Sequence, residues 1–261
     1  MGGHACGCPA MLGTVLSVLL GFRTAAAYER WWEARKIWGG IVNDSRTFTR
    51  QVLMLIDNHD GDAPSALQKE LVHRQIAWPY TLVRSLRRQE VLADVEDLLD
   101  ATEINDLHMQ QNVPNALIMT QAVHLRDAYQ EGLINAYFLA SIEDSLRRLT
   151  DHMGKCERIK NTVFPGYYSY FISRAVLLFF LLLPSGLAPF LEWLTVPIAL
   201  IIELLFSLIE MAGTILQDPF ENRPGDTPMM AISRTIEINL RQQLGETELP
   251  GPLVPVDGVL M

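Results

Sequence analysis

The 261-residue chain carries a formal net charge of -9, which argues against a nucleic-acid partner, because such binders display basic surfaces. Its residues are 49% hydrophobic and 20% charged, so the apolar ones must be concentrated in particular segments. Three cysteines (Cys6, Cys8 and Cys156) are too few and too odd in number for a disulfide scaffold, and a reducing compartment is the simpler expectation.

Residues 1–9 read as a short N-terminal tail. His4, Cys6 and Cys8 lie in it, but a structural zinc site usually has four ligands, so no metal centre is expected there. The apolar run Ala10–Phe22 is shorter than the roughly 20 residues a membrane helix needs. A signal peptide would place basic residues before such a run, whereas here they follow it. Gly13, Ser17, Gly21 and Ala25 recur every four residues and form a ridge on which helices can pack closely. Thr14, Val18 and Phe22 make the neighbouring row, which such a helix would present to something else, for example a symmetry axis. An ordinary buried core helix accounts for the pattern equally well. Trp31, Trp32 and Trp38, with Arg30, Arg35 and Lys36, then resemble an interfacial belt, making 10–38 a membrane helix whose basic end lies on the cytoplasmic side.

Residues 39–165 read as soluble and helical. Apolar positions recur at three- and four-residue spacing in Leu67–Trp78 and Leu133–Ile142. Asp57–Pro64 lacks the spacing and closing glutamate of a calcium loop and reads as a turn. Pro114 suits the first turn of a further helix.

Residues 166–216 predict a hairpin through a bilayer: an arm containing Ala175–Leu183, a tip at Pro184–Pro189, and a second arm Leu194–Leu216. The tip has no Lys or Arg, whereas Arg158, Lys160, Arg223 and Arg234 lie beyond the two ends, which puts both ends in the cytoplasm. Glu203 and Glu210 share one face of the second arm. Carboxylates facing lipid are costly, so they serve either as structural pairs with neighbouring helices or as part of an ion path. In 217–261 a Pro/Gly-rich loop leads to an amphipathic helix from Met229, with Asp226 or Thr227 as its cap and Pro228 in its first turn. An irregular tail follows from Glu246.

No phosphate-binding loop, dinucleotide fingerprint, nucleophile elbow or paired-histidine zinc motif occurs, so neither enzymatic activity nor a cofactor is expected.

The segment Leu20-Gly-Phe-Arg-Thr-Ala-Ala-Ala-Tyr-Glu-Arg-Trp-Trp-Glu-Ala-Arg-Lys-Ile-Trp-Gly39 resembles the pore-helix signature of bestrophins, particularly the bacterial branch. Asp218–Met229, running into Ile232–Leu240, is similar to that family's C-terminal signature, and Gly154–Arg158 followed by Pro165 has the same character. The resemblance implies an all-α fold of membrane-spanning helices with a large helical cytosolic part. It further implies a homopentamer around a central pore, set in a bacterial inner (plasma) membrane with most of its mass cytoplasmic.

By that resemblance Phe22, Val18 and Thr14 stand at three levels of a narrow neck, and Tyr137, counted back from Pro165, lies near the cytosolic aperture. Apolar rings can gate or select by size and wetting. The implied function is passage of small monovalent ions, with anions (chloride) as the family label. A cation-selective channel for sodium or potassium, or a non-conducting membrane scaffold, are the alternatives. Three departures stand out. The family has a membrane helix before the pore helix, where this chain shows only Met1–Pro9. Thr14 stands where larger aliphatic residues are usual, which implies a wider, more polar ring. Animal members bind calcium through a dense acidic cluster, of which Asp218, Glu221 and Asp226 remain as weak candidates interleaved with Arg223.

Overall fold

The structure is a computed structural model that describes residues 7–58, 63–162 and 166–255. Its elements are α1 (Gly7–Leu55), α2 (Ala66–Leu86), α3 (Ala101–His108), α4 (Val113–Gln130), α5 (Ala136–Asn161), α6 (Gly166–Leu191), α7 (Thr195–Leu216) and α8 (Met229–Gln243). Among the described residues there is no strand, and the all-α expectation holds. The helices divide between two compact units. One takes α1 up to Glu33 together with α6 and α7; the other takes α1 from Ala34, α2 to α5, and α8.

In the first unit, Leu16 and Leu20 of α1 pack on Ile172, Val176, Phe179 and Leu183 of α6 and on Ala199 of α7. The Phe179 and Phe206 rings meet at 5.2 Å. This core is thin. Segments Ala10–Leu55 and Gly166–Leu216 each contain a stretch long and apolar enough to cross a membrane, and only 22% and 11% of those stretches are buried. Leu181, Phe190, Trp193, Leu200, Ile201 and Leu204 are all exposed. A soluble core helix would hide such side chains, so these surfaces need a non-aqueous neighbour.

The hairpin reverses later than the prolines suggest. Helix α6 continues through Pro184 and Pro189 to Leu191, and the turn falls at the 3-10 segment Glu192–Leu194, where Glu192 has φ 46°. A proline removes one helical hydrogen bond, but an apolar segment has strong reason to stay helical where water is absent. Exposed Glu192 supplies the polar residue at the reversal.

In the second unit, Trp38 and Phe48 of α1, Leu71, Ile76 and Trp78 of α2, Leu117 and Leu125 of α4, Ile142 and Leu146 of α5, and Ile236 and Leu240 of α8 form one core. Trp38 is fully buried in it, so this residue is core rather than interfacial belt. The reason is that α1 does not end near the belt but runs on as helix to Leu55. Buried polar groups are tied internally. The Trp78 indole donates to the Pro114 carbonyl at 3.0 Å, Gln75 donates to Ser45 Oγ at 3.0 Å, and Tyr80 donates to Glu237 at 2.7 Å.

Local signals set several helix starts. Ser65 and Gln68 form a reciprocal capping box on α2. Asn112 caps α4, with Pro114 in its first turn. The helix read from Leu133 begins instead at Ala136, because Gly132 (φ 76°) turns the chain and Asn135 Oδ1 accepts from the Phe138 amide. Helix α8 begins at Met229 with Pro228 itself at the cap and no side-chain cap bond. Asp226 is used elsewhere, accepting from the Arg223 amide at 2.9 Å within the Gly225 turn.

Candidate functional site

The first part of α1 carries the candidate site. An α-helix turns by about 100° per residue. Leu16, Leu20, Arg23 and Ala27 are buried, and they fall on one face of the helix. Thr14, Val18 and Phe22 lie on the far side, centred about 180° from that face by the same rotation. Val18 is 52% exposed, Phe22 is 68% exposed, and Thr14 is exposed. The Thr14 hydroxyl donates back to the Ala10 carbonyl at 3.0 Å, so its donor is satisfied within the helix.

The small-residue ridge is only partly used within the chain. A Cβ at Gly13 would come within 3.1 Å of the Phe179 ring, so that glycine permits the close approach of α1 and α6. Ser17, Gly21 and Ala25 are exposed, and a Cβ on Gly21 would meet nothing within 4 Å. The in-chain packing face is thus the Leu16–Leu20–Arg23–Ala27 face, with the ridge beside it mostly open.

The patterns of the sequence did not single out Arg23, the basic residue at the end of the apolar run. Its side chain is 2% exposed. It donates to Thr214 Oγ1 at 2.9 Å and to Glu210 Oε1 at 3.5 Å. Gln217, with its amide oxygen turned toward Arg23, accepts from Nε and Nη2 at 3.1 and 3.2 Å. Glu210 in turn accepts from Ser173 of α6. Seven residues on, Arg30 lies 3.9 Å from Asp218. The available signal was spacing, since Arg23 follows Leu16 by seven residues and so shares its buried stripe.

Glu210 is therefore a structural pair, one of the two roles open to it. Glu203 accepts from Ser207 at 3.2 Å, and its other oxygen is buried without a hydrogen bond.

In the second unit Tyr137 stands in the first turn of α5, 80% exposed, with its ring 5.9 Å from Phe138. The carboxylates weighed for calcium each have another engagement. Asp218 lies near Arg30, and Glu221 accepts from Lys160, whose hydrogen bond holds its carboxyl below the usual range. Asp226 is bonded to backbone, and burial pushes its carboxyl up. Among the described residues no group of three or more His, Cys, Asp or Glu is arranged to hold a metal ion. His4, Cys6 and the Cys8 side chain, like Pro165, lie outside what the structure describes.

The sequence matches the family model for Bacterial/Fungal Bestrophin protein over residues 7–242. A voltage-dependent anion channel-forming protein of Nostoc sp. is 32% identical over 229 residues, covering 87% of this chain and 73% of that one. One of the same description from Escherichia coli K12 is 29% identical over 245 residues, covering 94% and 79%. The crystal structure of a bacterial bestrophin homologue from Klebsiella pneumoniae superposes with a TM-score of 0.85 at 26% identity, over 93% of this chain and 88% of that one. The exposed apolar helices and these relatives make this a membrane protein, and the chain belongs to the bacterial and fungal bestrophin family.

Proposed function

We propose that this chain is the subunit of a bestrophin-type anion channel, and that five copies surround a pore lined by α1. The observation that carries the reading is the row Thr14, Val18 and Phe22. It is uncharged, exposed, and aimed away from the helices that hold α1 within its own chain. Repeated around an axis, that row makes a narrow apolar neck able to gate by size and wetting. Ser17, Gly21 and Ala25, open in the single chain, receive the neighbouring copy's helix. The outer apolar side chains of α6 and α7 face lipid. The anion label comes from the names of the relatives.

Tyr137, exposed at the start of α5, is proposed as the cytosolic aperture. The basic residues flanking the hairpin support a reading with the second unit on the cytoplasmic side of a bacterial inner membrane. Permeation of this kind is passive, with no catalysis and no cofactor.

Purified protein in planar bilayers under a salt gradient tests the reading. A reversal potential at the chloride side of zero is the expected result. Reversal toward the cation potential assigns a cation channel of the same fold, and silence with only monomers present in detergent supports a scaffold; either rejects the anion channel.

A further inference from the structure

The neck row is useful only if α1 is held at one rotation about its own axis, because about 100° separates each residue from the next. A turn of one residue would swing Phe22 off the axis and bring Gly21 or Arg23 toward it. The in-chain hydrophobic contacts of α1 are a weak lock against this. Leu16 and Leu20 pack with Ile172, Val176, Phe179 and Leu183, and apolar contact of this kind carries no hydrogen-bond direction of its own.

Arg23 is directional. Its planar guanidinium meets Thr214 Oγ1 at 2.9 Å and the Gln217 amide oxygen at 3.1 and 3.2 Å, and it lies 3.5 Å from Glu210. All three partners sit on the last turns of α7 or at its end, where the helix dipole favours a cation. Glu210 is itself tied to Ser173, so the network joins α1, α6 and α7. Arg30, two turns further along the same face, approaches Asp218 just beyond α7. Two anchors seven residues apart define both the rotation and the axial height of α1.

We infer that Arg23 is the positioning residue of the neck: through Glu210, Thr214 and Gln217 it fixes the rotation that points Phe22 and Val18 at the pore. The inference rests on the reading of that row as the pore lining. Arg23 itself touches no ion. Lysine at this position would keep the charge but lose the planar fork, so it should hold the rotation only in part.

Thiol labelling in lipid vesicles tests this without requiring current. In a background with Cys6→Ser and Cys8→Ser, Cys156 is fully buried and silent. Val18→Cys, Gly21→Cys and Phe22→Cys are then introduced singly and treated with a charged, water-soluble thiol reagent. With Arg23 present, positions 18 and 22 should label quickly and position 21 slowly. Adding Arg23→Gln should slow labelling at 22 severalfold and speed it at 21, with Arg23→Lys in between. Should Arg23→Gln not fold, Glu210→Gln, which keeps size and removes the charge, should shift the pattern in the same direction. An unchanged pattern in the folded Arg23→Gln or Glu210→Gln protein overturns the positioning role. Failure of positions 18 and 22 to label while Arg23 is present overturns the pore reading, and with it this inference.

Discussion

At the scale of single residues, two positions in the second unit give direct tests. A Cβ at Gly40 would fall 2.5 Å from His152 Cε1, and that ring is held by Asp44 at 2.9 Å. Asp44 is also bound by Arg148 at 2.8 Å, so the ring has little freedom to yield. Gly40→Ala should therefore destabilise the second unit by about 1–3 kcal/mol, the usual cost of overpacking, read as a lower thermal midpoint in detergent. Cys156 is fully buried, and burial pushes its thiol up to about 12, so it stays an inert thiol at neutral pH. It should resist alkylation in the folded protein and react only after denaturation; fast labelling of the native state would refute this burial. Neither position was legible in sequence. The Gly39–Gly40 pair reads locally as a break, although both residues lie inside α1, and a lone cysteine looks the same whether exposed or buried.

At the scale of helices, the neck row and the ridge make separate predictions. Phe22→Ala should widen the proposed narrowest ring and raise unit conductance or weaken ion discrimination, as single-channel recording would show. Unchanged permeation by an intact pentamer would remove Phe22 from the constriction. Gly21→Leu should reduce pentamer yield in size-exclusion chromatography, because the ridge is open at Gly21 within the chain and is proposed to receive the neighbouring copy's helix. Both rows are legible in the sequence, because a four-residue repeat of small or uncharged side chains is a purely local pattern. Periodicity could not say which face α1 packs within its own chain, because that depends on what α6 and α7 present. The same limit explains the hairpin tip. Pro184 and Pro189 read as breakers, yet they sit inside α6, since a helix in an apolar setting gains more by continuing than it loses at each proline.

At the scale of the whole molecule, ionisable groups of the second unit set its response to pH. Burial raises the Tyr80 and Cys156 groups, so both fold as neutral species. A neutral acid with a raised folded value adds stability that is complete below its unfolded value and is lost progressively as pH rises from there through the folded value. Unfolded Cys and Tyr titrate near about 8.5 and 10, so the thermal midpoint should fall across that alkaline window. Cys156→Ala should flatten the first part of the decline; an unaltered slope would remove Cys156 as its cause. On the acid side, Lys160 holds the Glu221 carboxyl low, and that contribution disappears as pH falls below the ordinary carboxylate range.

The order of residues alone showed a helical protein, with its apolar residues gathered in an N-terminal helix and a late hairpin and with segments that resemble bestrophin signatures. Those are properties of composition, spacing and local order, which a linear chain carries in full. Only the tertiary structure decided that Trp38 is core, that Glu210 is paired, and that Arg23 lies buried against the end of α7. Each of those depends on residues brought together from distant parts of the chain, about 190 positions apart for Arg23 and its partners on α7. A charge in an apolar helix is resolved by whichever partner the fold delivers to it.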